Sequence, residues 1–520
     1  MLLRNKKEHD CNEGKWIGIG GKFKKKENAD ACLLREVFEE TGLKLTEYHF
    51  HGIIYFINSE WEDEAMYLYS ATGYEGEVNY DCDEGELKWI DKDKILDLNL
   101  WEGDRIFLSK MLSGQKRFSL TLNYEGDKLI DYYEWCGNNG ICGGCTYGGM
   151  SYEAQLKDKE EKLYNLLSPV MDENSIWEGV VESPLRSGYK NKMEYSFGDE
   201  VKDGELTLGM HKKKSFYSVV TCDDCRNVPD DYNRIVRASV DFFNERKVPY
   251  MHKREHTGYL RHLILRRSFA TGEVMAILVT KSNEEYKPVV EEWKNMLLKL
   301  KLSGSISGIL HTHNDSFSDA VIDEGTTLLY GKDYIEEELL GLKFKITPFS
   351  FFQTNSKGAE ALYSKVREYV GDTTGQTVYD LYSGTGTIAQ LVAGVADKVY
   401  GVEIIEEAVE AAKVNAGLNG LDNCEFIAGD VLEVIDSLEK KPDMIILDPP
   451  RDGLHPKMLP KIASYGVKNI VYVACKPSSF VRDMEYFKTL GYRVVKAAGI
   501  DQFPYTKHVE CVVEIQRVNH

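Results

Sequence analysis

Cys475 and Glu510 are the two residues whose placement points most directly to chemistry. Cys475 closes the apolar run Ile470-Val-Tyr-Val-Ala474, and Glu510 opens another, Glu510-Cys-Val-Val513. A thiol at one strand end and a carboxylate at the start of another supply a nucleophile and a separate base. That pair is the minimum needed to methylate C5 of a uracil. C5 is a poor nucleophile towards a methyl sulfonium. A thiolate added to C6 turns C5 into an enolate carbon that attacks, and a base must then take the C5 proton so that the thiolate can leave. Singly, a strand-end cysteine is usually packing and a glutamate a surface acid. Their joint placement beside a methyl-donor site is what gives them meaning.

That donor site is written upstream. Val378-Tyr-Asp380-Leu-Tyr382-Ser-Gly384-Thr-Gly386-Thr387 reads as a strand, a glycine turn and a helix start. Glycines let a ligand approach backbone N–H groups. About twenty residues on, Glu403 ends a second apolar run and suits ribose hydroxyls. This much fits a dinucleotide or S-adenosylmethionine equally. Met444-Ile-Ile-Leu447 then runs into the rigid Asp448-Pro449-Pro450-Arg451 turn. In an open α/β sheet Asp380, Glu403, Asp448 and Cys475 would gather at the carboxyl ends of strands, where ligands bind.

Before this lies Cys136-Gly-Asn-Asn-Gly-Ile-Cys142-Gly-Gly-Cys145, three thiols on a glycine-rich loop. They can converge on one inorganic centre, either an iron–sulfur cluster or zinc, and spacing does not separate the two. Cys225 is the best fourth ligand and Cys222 the second. Tyr189–Glu194 and Gly258–Leu263 alternate polar and apolar residues, as half-buried strands do. Their Lys and Arg side chains suit an RNA backbone, although a plain sheet with a charged outer face explains the same pattern.

At the other end of the chain, Gly21 and Glu27 lead into Arg35-Glu36-Val37-Phe38-Glu39-Glu40-Thr41-Gly42-Leu43. This is a glycine loop, a helix and a glycine stop. Glu36, Glu39 and Glu40 share one helix face. Like charges so placed repel unless a cation binds them, and hard carboxylate oxygens suit magnesium with substrate phosphates.

The full pattern of residues 21–43 resembles the box of Nudix hydrolases. The Trp61–Glu64, Asp83–Glu86 and Trp101–Asp104 segments are similar to the branch that hydrolyses oxidised purine nucleoside triphosphates. That resemblance implies an α/β/α sandwich, magnesium at Glu36, Glu39 and Glu40 with help from Glu84, and base recognition by Trp101 and Asp104. It also implies that the chain begins inside the second strand of such a domain, so that an edge is missing or lies upstream. Residues 135–520 resemble the uracil-5 RNA methyltransferases, in the iron–sulfur branch known for 23S rRNA enzymes. Ser350-Phe-Phe-Gln353-Thr-Asn355, Asp448–Arg451, Val473–Pro477 and His508-Val-Glu510 carry the likeness. It implies a [4Fe-4S] cluster at Cys136, Cys142, Cys145 and Cys225, and S-adenosylmethionine contacts from Gln353, Tyr382, Glu403, Asp448, Thr387 and Asp430. It implies as well that the target uridine is flipped out of its stack. Two departures stand out. Lys476 replaces the usual asparagine, and the Nudix domain takes the place of the RNA-binding β-barrel that often precedes the cysteine loop, which leaves RNA docking to the middle domain or to the Nudix domain, whose acidic balance makes it a poor choice.

The elements needed to hold these sites fit a multidomain α/β chain of 520 residues. We expect a Nudix domain over 1–134, a small cysteine-loop and β-rich middle domain over 135–345, and a Rossmann-like class I methyltransferase domain over 346–520. The formal charge of −20 argues against a nucleic-acid partner at first sight. However, half of it falls on residues 1–134, and local clusters such as His211–Lys214 and Arg261–Arg267 remain. Eleven cysteines, no long apolar stretch and no signal-peptide core point to a reducing cytoplasm. The expected partners are RNA, ribosomal first and transfer RNA as the alternative, and a nucleoside triphosphate for the first domain. A nitrogen methyltransferase is the rival reading, but its sites usually carry an aromatic where Arg451 stands. A non-enzymatic iron–sulfur RNA-binding module is the other.

Overall fold

The computed structural model describes residues 1–6, 11–115 and 117–518, and the chain divides into two compact units, Met1–Ile141 and Cys142–His520. The first unit contains β1 (Leu2–Arg4), β2 (Trp16–Ile17), α1 (Ala29–Thr41), β3 (Lys44–Asn58), β4 (Glu64–Glu75), β5 (Gly85–Leu87), α2 (Glu102–Leu112), β6 (Ser119–Glu125) and β7 (Lys128–Trp135). Its two sheets run β2-β1-β5 and β4-β3-β6-β7. Asn28 caps α1 by accepting from the Ala31 N–H at 2.8 Å. Gly42 ends the helix at φ 74°, a left-handed position that glycine takes without strain, and its N–H returns to Phe38 O. Ile54, Leu68, Phe107, Phe118, Leu120 and Leu122 form the core between α2 and the four-stranded sheet.

The second unit opens with α3 (Tyr152–Leu167) and β8 (Ile176–Val181). A seven-stranded sheet follows, built from β9 (Lys192–Asp199), β10 (Leu206–His211), β11 (Val219–Thr221), β12 (Leu260–Arg267), β13 (Glu273–Thr280), β14 (Ser305–His313) and β15 (Thr326–Gly331). Its order is β11-β10-β9-β12-β13-β14-β15. Helices α4 (Asp230–Glu245) and α5 (Lys287–Leu297) bury apolar faces, with Tyr232, Phe243 and Trp293 fully enclosed. A hairpin, β16 (Ile335–Leu339) and β17 (Leu342–Ile346), leads to α6 (Ser356–Val370).

The remaining elements are β18 (Thr373–Leu381), α7 (Thr387–Ala393), β19 (Ala396–Glu403), α8 (Glu406–Leu418), β20 (Cys424–Ala428), α9 (Val431–Val434), β21 (Met444–Leu447), α10 (Met458–Ser464), β22 (Asn469–Ala474), α11 (Pro477–Thr489), β23 (Tyr492–Ile500) and β24 (Glu510–Arg517). They form an eight-stranded sheet ordered β20-β19-β18-β21-β22-β24-β23-β8. Strands β20 to β22 are parallel, and β24 is antiparallel to both its neighbours. Chain order reverses at β18, which opens a ligand crevice at the carboxyl ends of the strands. Apolar clusters cover both faces, as a parallel sheet requires. The mixed α/β architecture expected of the chain is present throughout. One strand was not anticipated there: β8, far upstream in the chain, forms the edge of this last sheet beside β23.

Candidate functional site

Register brings the reactive pair together. Ala474 pairs with Cys511 across β22 and β24, so Cys475 and Glu510 are the next opposed pair outward. Side chains so opposed share a face within a few ångströms. Cys475 is half-buried and Glu510 buried. Burial, then Glu510 and Asp448, push the Cys475 thiol above its ordinary value, and Arg451 opposes them. Burial and Asp448 likewise lift Glu510 to about 8, again opposed by Arg451. Cys475 is separated from α11 by Lys476 alone, and the helix's positive end favours thiolate. Pro477 starts that helix, and Lys476, standing where asparagine was expected, gives it no side-chain cap.

The Asp448–Arg451 turn is anchored from α11. Ser479 Oγ donates to Arg451 O at 2.6 Å, and Leu454 N donates to Asp483 Oδ2 at 2.8 Å. Burial lifts Asp448 to about 7. Glu510 is approached through a tightly held loop. Lys159 and Asp501 form a fully buried ion pair at 2.7 Å, and Lys159 also donates to Phe503 O. Tyr189 OH donates to Pro504 O, and Tyr505, at φ 66°, is fixed by Gln155 Oε1 and by the Thr146 and Tyr147 N–H groups. This restraint fixes the start of β24 before Glu510.

At β18 the donor site takes shape. Gly384 N and Ile405 N each donate at 3.0 Å to one oxygen of Glu403, which turns the carboxylate toward the crevice. Gly386 sits at φ 72°, where an added Cβ would also strike Phe426. Asp380 accepts from Ala389 N at 2.9 Å, while its other oxygen and Ser383 Oγ are buried without partners. Burial, then Asp448, raises Asp380 well above its ordinary value. Orphaned polar atoms beside a fixed carboxylate fit S-adenosylmethionine, with its hydroxyls and amines. Thr387 is buried at the first position of α7, and Tyr382 enters at φ 66°. Asp430 caps α9 through Leu432 N, and its charge reaches Tyr382.

Sequence reasoning missed Tyr363. This buried tyrosine on α6 lies beside the Gln353 side chain and feels the charges of Asp448, Glu510 and Asp380. It therefore joins the donor and acceptor halves of the site. The signal available was only one aromatic on the apolar face of α6.

The cysteine loop is divided. Cys142, Cys145 and Cys225 lie in the second unit, and Cys136 falls in the first, beside Tyr55. The Cys142 thiol meets that of Cys222, and Cys145 and Cys225 are close enough to Cys142 to feel its charge. Gly144 N and Asn227 Nδ2 donate to the sulfurs of Cys142 and Cys145 at 3.3 and 3.2 Å. Among the described residues no group of three or more His, Cys, Asp or Glu is arranged to hold a metal ion, so neither the cysteine set nor the Glu36, Glu39 and Glu40 set is gathered into a coordination shell.

In the first unit Arg35 occupies the acidic helix face. It binds Glu27 with two nitrogens at 2.7 and 2.8 Å, Glu39 at 3.0 Å, and Glu36. Hydrogen bonds from Arg35 and Lys24 hold Glu27 down at about 2. Glu40 is different. One of its oxygens is buried without a partner, and burial, Glu84 and Glu36 lift it to about 7. Such crowding of acids fits a cation. Trp101 Nε1 donates to Asn12 Oδ1 at 2.8 Å, and Trp61 and Tyr124 stand edge-on to the Trp101 ring. Asp104 is buried and lifted to about 7. Tyr124, a wall of this site, was not singled out from the sequence.

The comparisons with known proteins agree with this geometry. The family profile described as tRNA (Uracil-5-)-methyltransferase matches residues 151–518, and that of the NUDIX domain matches residues 1–111. An uncharacterised RNA methyltransferase of Clostridium tetani is 44% identical over 428 residues, which are 80% of this chain and 93% of that protein. Another, from Clostridium acetobutylicum, is 47% identical and covers 74% of this chain and 83% of its own. The solved structure of Pyrococcus abyssi tRNA (uracil-54, C5)-methyltransferase in complex with S-adenosyl-L-homocysteine aligns at a TM-score of 0.60 with 30% identity, over 75% of this chain and 89% of that one. No helix among the described residues is long and apolar enough to cross a membrane. With a donor crevice at the β18 switch and a thiol facing a carboxylate across β22 and β24, the chain belongs to the tRNA (uracil-5-)-methyltransferase family and carries a NUDIX domain ahead of it.

Proposed function

We propose that the second unit methylates C5 of a uridine in a structured RNA in the cytoplasm. The register that opposes Cys475 to Glu510 is the observation that supports this most directly. S-adenosylmethionine, when bound, supplies the methyl group. Glu403, Tyr382, Asp448, Gln353, Thr387 and Asp430 would hold it. The Cys475 thiolate adds to C6 and leaves C5 as the attacking carbon. Once C5 is methylated, the Glu510 carboxylate takes the C5 proton, and the electron pair returns to expel Cys475. Tyr363 keeps Gln353 aligned with the acids around it.

The likeness of the cysteine loop favours 23S ribosomal RNA, with transfer RNA as the alternative. Cys136, Cys142 and Cys145 would be three of the thiols for a [4Fe-4S] cluster, with Cys225 as the fourth ligand and Cys222 as its rival. Iron and sulfide content of Cys225→Ser and Cys222→Ser proteins decides between them, since only the true ligand's loss empties the site. The first unit would hydrolyse a nucleoside triphosphate, such as an oxidised purine deoxynucleotide. Magnesium at Glu36, Glu39 and Glu40 would serve the phosphates, and Trp101 and Asp104 the base.

The deciding experiment uses anaerobically purified protein, methyl-labelled S-adenosylmethionine, and unmodified ribosomal and transfer RNA. Label in 5-methyluridine, lost in Cys475→Ala, is the expected result. Label on a base nitrogen, or labelling that survives Cys475→Ala, sinks the reading.

A further inference from the structure

Two loops on the seven-stranded sheet carry aromatic rings in solvent. Phe216 and Tyr217, between β10 and β11, are 62% and 47% exposed, and Phe317, after β14, is 77% exposed. Large rings in solvent are unfavourable unless something covers them. These three are not scattered. Lys253, from the loop before β12, lies 4.8 Å over the Phe216 ring, donates to Phe216 O, and binds Asp319 at 2.6 Å, two residues from Phe317. His211 lies parallel to the Phe216 ring and 3.7 Å from the same Asp319 carboxylate. His256 stands edge-on to Phe317 at 4.8 Å. One ion-pair node thus ties the two ring-bearing loops to the loop before β12.

The loops are also stiffened from below. The buried Arg261 guanidinium donates to the carbonyl oxygens of Asn314 and Ser316 at 2.7 Å and to that of Ser318, which holds Phe317 at the tip of a closed loop. Gly143 N donates to His211 O at 2.8 Å, which pins the base of the Phe216 loop. The rings therefore project from a framework set before any partner arrives, so little ordering entropy remains to be lost on binding.

Charge selects the partner. Arg254 stacks on Tyr217 at 4.2 Å, and Lys213 and Lys214 are exposed beside it; among the described residues none of the three enters an ion pair. Two acids of these loops are engaged by partners within the sheet's own loops, while Glu255, Asp323 and Glu324 are exposed. Asp319 is held by Lys253 and His211, and Asp315 accepts from Ser282 N at 2.8 Å. Rings interleaved with unpaired cations match single-stranded nucleic acid, whose bases stack on rings while its phosphates meet Lys and Arg. An apolar protein partner would need no such cations, and a duplex would hide its base faces.

We propose that Phe216, Tyr217 and Phe317, edged by Lys213, Lys214 and Arg254, form a stacking platform for unpaired bases of the RNA substrate. The proposal rests on the RNA methyltransferase reading above and adds the site that grips the single-stranded part of that RNA. Stacking is sequence-tolerant, so the platform contributes affinity and leaves the choice of uridine to the catalytic pocket.

The test uses the full-length holoprotein and a triple variant, Phe216→Ala with Tyr217→Ala and Phe317→Ala. A fluorescein-labelled, non-self-complementary RNA of about 12 nucleotides and its duplex are titrated by anisotropy. Binding of S-adenosyl-L-homocysteine, unchanged in the variant, shows that the fold is intact. Single-strand affinity is expected to fall roughly tenfold or more, with the duplex nearly unaffected and partial recovery in a Phe216→Trp form of the variant. In methyl transfer, KM for RNA should rise while kcat at saturating RNA holds. Single-strand affinity within twofold of the parent overturns the proposal, as does an equal loss on duplex. Should the parent methylate RNA with a KM that the variant leaves unmoved, the platform alone fails. Should the parent neither bind nor methylate RNA, the underlying reading fails with it.

Discussion

The acids of the first unit and those of the second are handled in opposite ways. Glu27, just before α1, and Glu39, on it, are held below their ordinary values by hydrogen bonds from Arg35 and Lys24. At the carboxyl ends of β18 and β21 and the start of β24, Asp380, Asp448 and Glu510 are all raised, chiefly by burial, and Arg451 opposes the rise at Glu510. The difference follows from position. A solvent-facing helix can recruit Lys and Arg to keep its carboxylates charged, which is the state a cation and phosphates need. A strand end inside a parallel sheet is dry, so Asp448 and Glu510 exchange protons near neutrality, which is the state a base for carbon acids needs. Glu40 is the exception that links the two, since it belongs to the charged helix yet, half-buried there, is raised like Asp448 and Glu510.

The largest effect that could break this comparison belongs to Glu510. Glu510→Gln keeps the shape of the site but removes the base. Cys475 should still add to C6 and C5 should still be methylated, but the C5 proton cannot leave. Turnover should fall about 10²- to 10⁴-fold. An RNA–protein adduct resistant to denaturing gel electrophoresis should accumulate, and it should vanish when Cys475→Ala is added. Normal release from the Glu510→Gln protein would remove this carboxylate from the role of base.

Glu40 tests the other side. If its crowding with Glu36 and Glu84 marks a cation site, Glu40→Gln should weaken the magnesium dependence of triphosphate hydrolysis by roughly tenfold or more, on the scale seen when groups around a metal are altered. Methyl transfer should be untouched. An unchanged magnesium titration would show that the acidic face is held by Arg35 for structure alone.

How much of this was legible depends on the range of the interaction. The α1 helix and its Gly42 stop were readable because such a stop is written within a few residues, whereas the Asn28 cap was not singled out. The glycine turn after β18 and the Asp448–Arg451 turn were readable for the same reason. Cys475 and Glu510 could be placed at strand ends by their apolar neighbours, but their opposition depends on a register that no local pattern sets. The Lys159–Asp501 pair, 342 positions apart, and the addition of β8 to the last sheet lie further still beyond local pattern. Tyr363 looked like any buried aromatic at helical spacing, because its hydroxyl gains meaning only when Gln353 and three acids arrive from other elements. The Arg35 clamp was hidden differently. Its residues were all in view, but sequence alone does not say whether an arginine beside three glutamates faces them.

Arg451 offers the smallest and sharpest test. It is the cation that opposes the upward shift of both Glu510 and Cys475. A carboxyl lifted to about 8 holds its base form only as pH rises through that value, so methyl transfer by the parent protein should climb between about pH 7 and 9. Removing the cation raises both groups further. Arg451→Gln should therefore lose roughly three- to tenfold at about pH 7.5 in single-turnover assays, and its rate should converge on that of the parent at higher pH. Its profile moves to the alkaline side, because less of each group is ionised at any given pH. A uniform loss at every pH would mean that Arg451 only shapes the turn held by Ser479. A shift to the acid side would mean that the acids around Glu510 are not raised by burial, and the contrast between the dry strand ends and the solvated helix would fall.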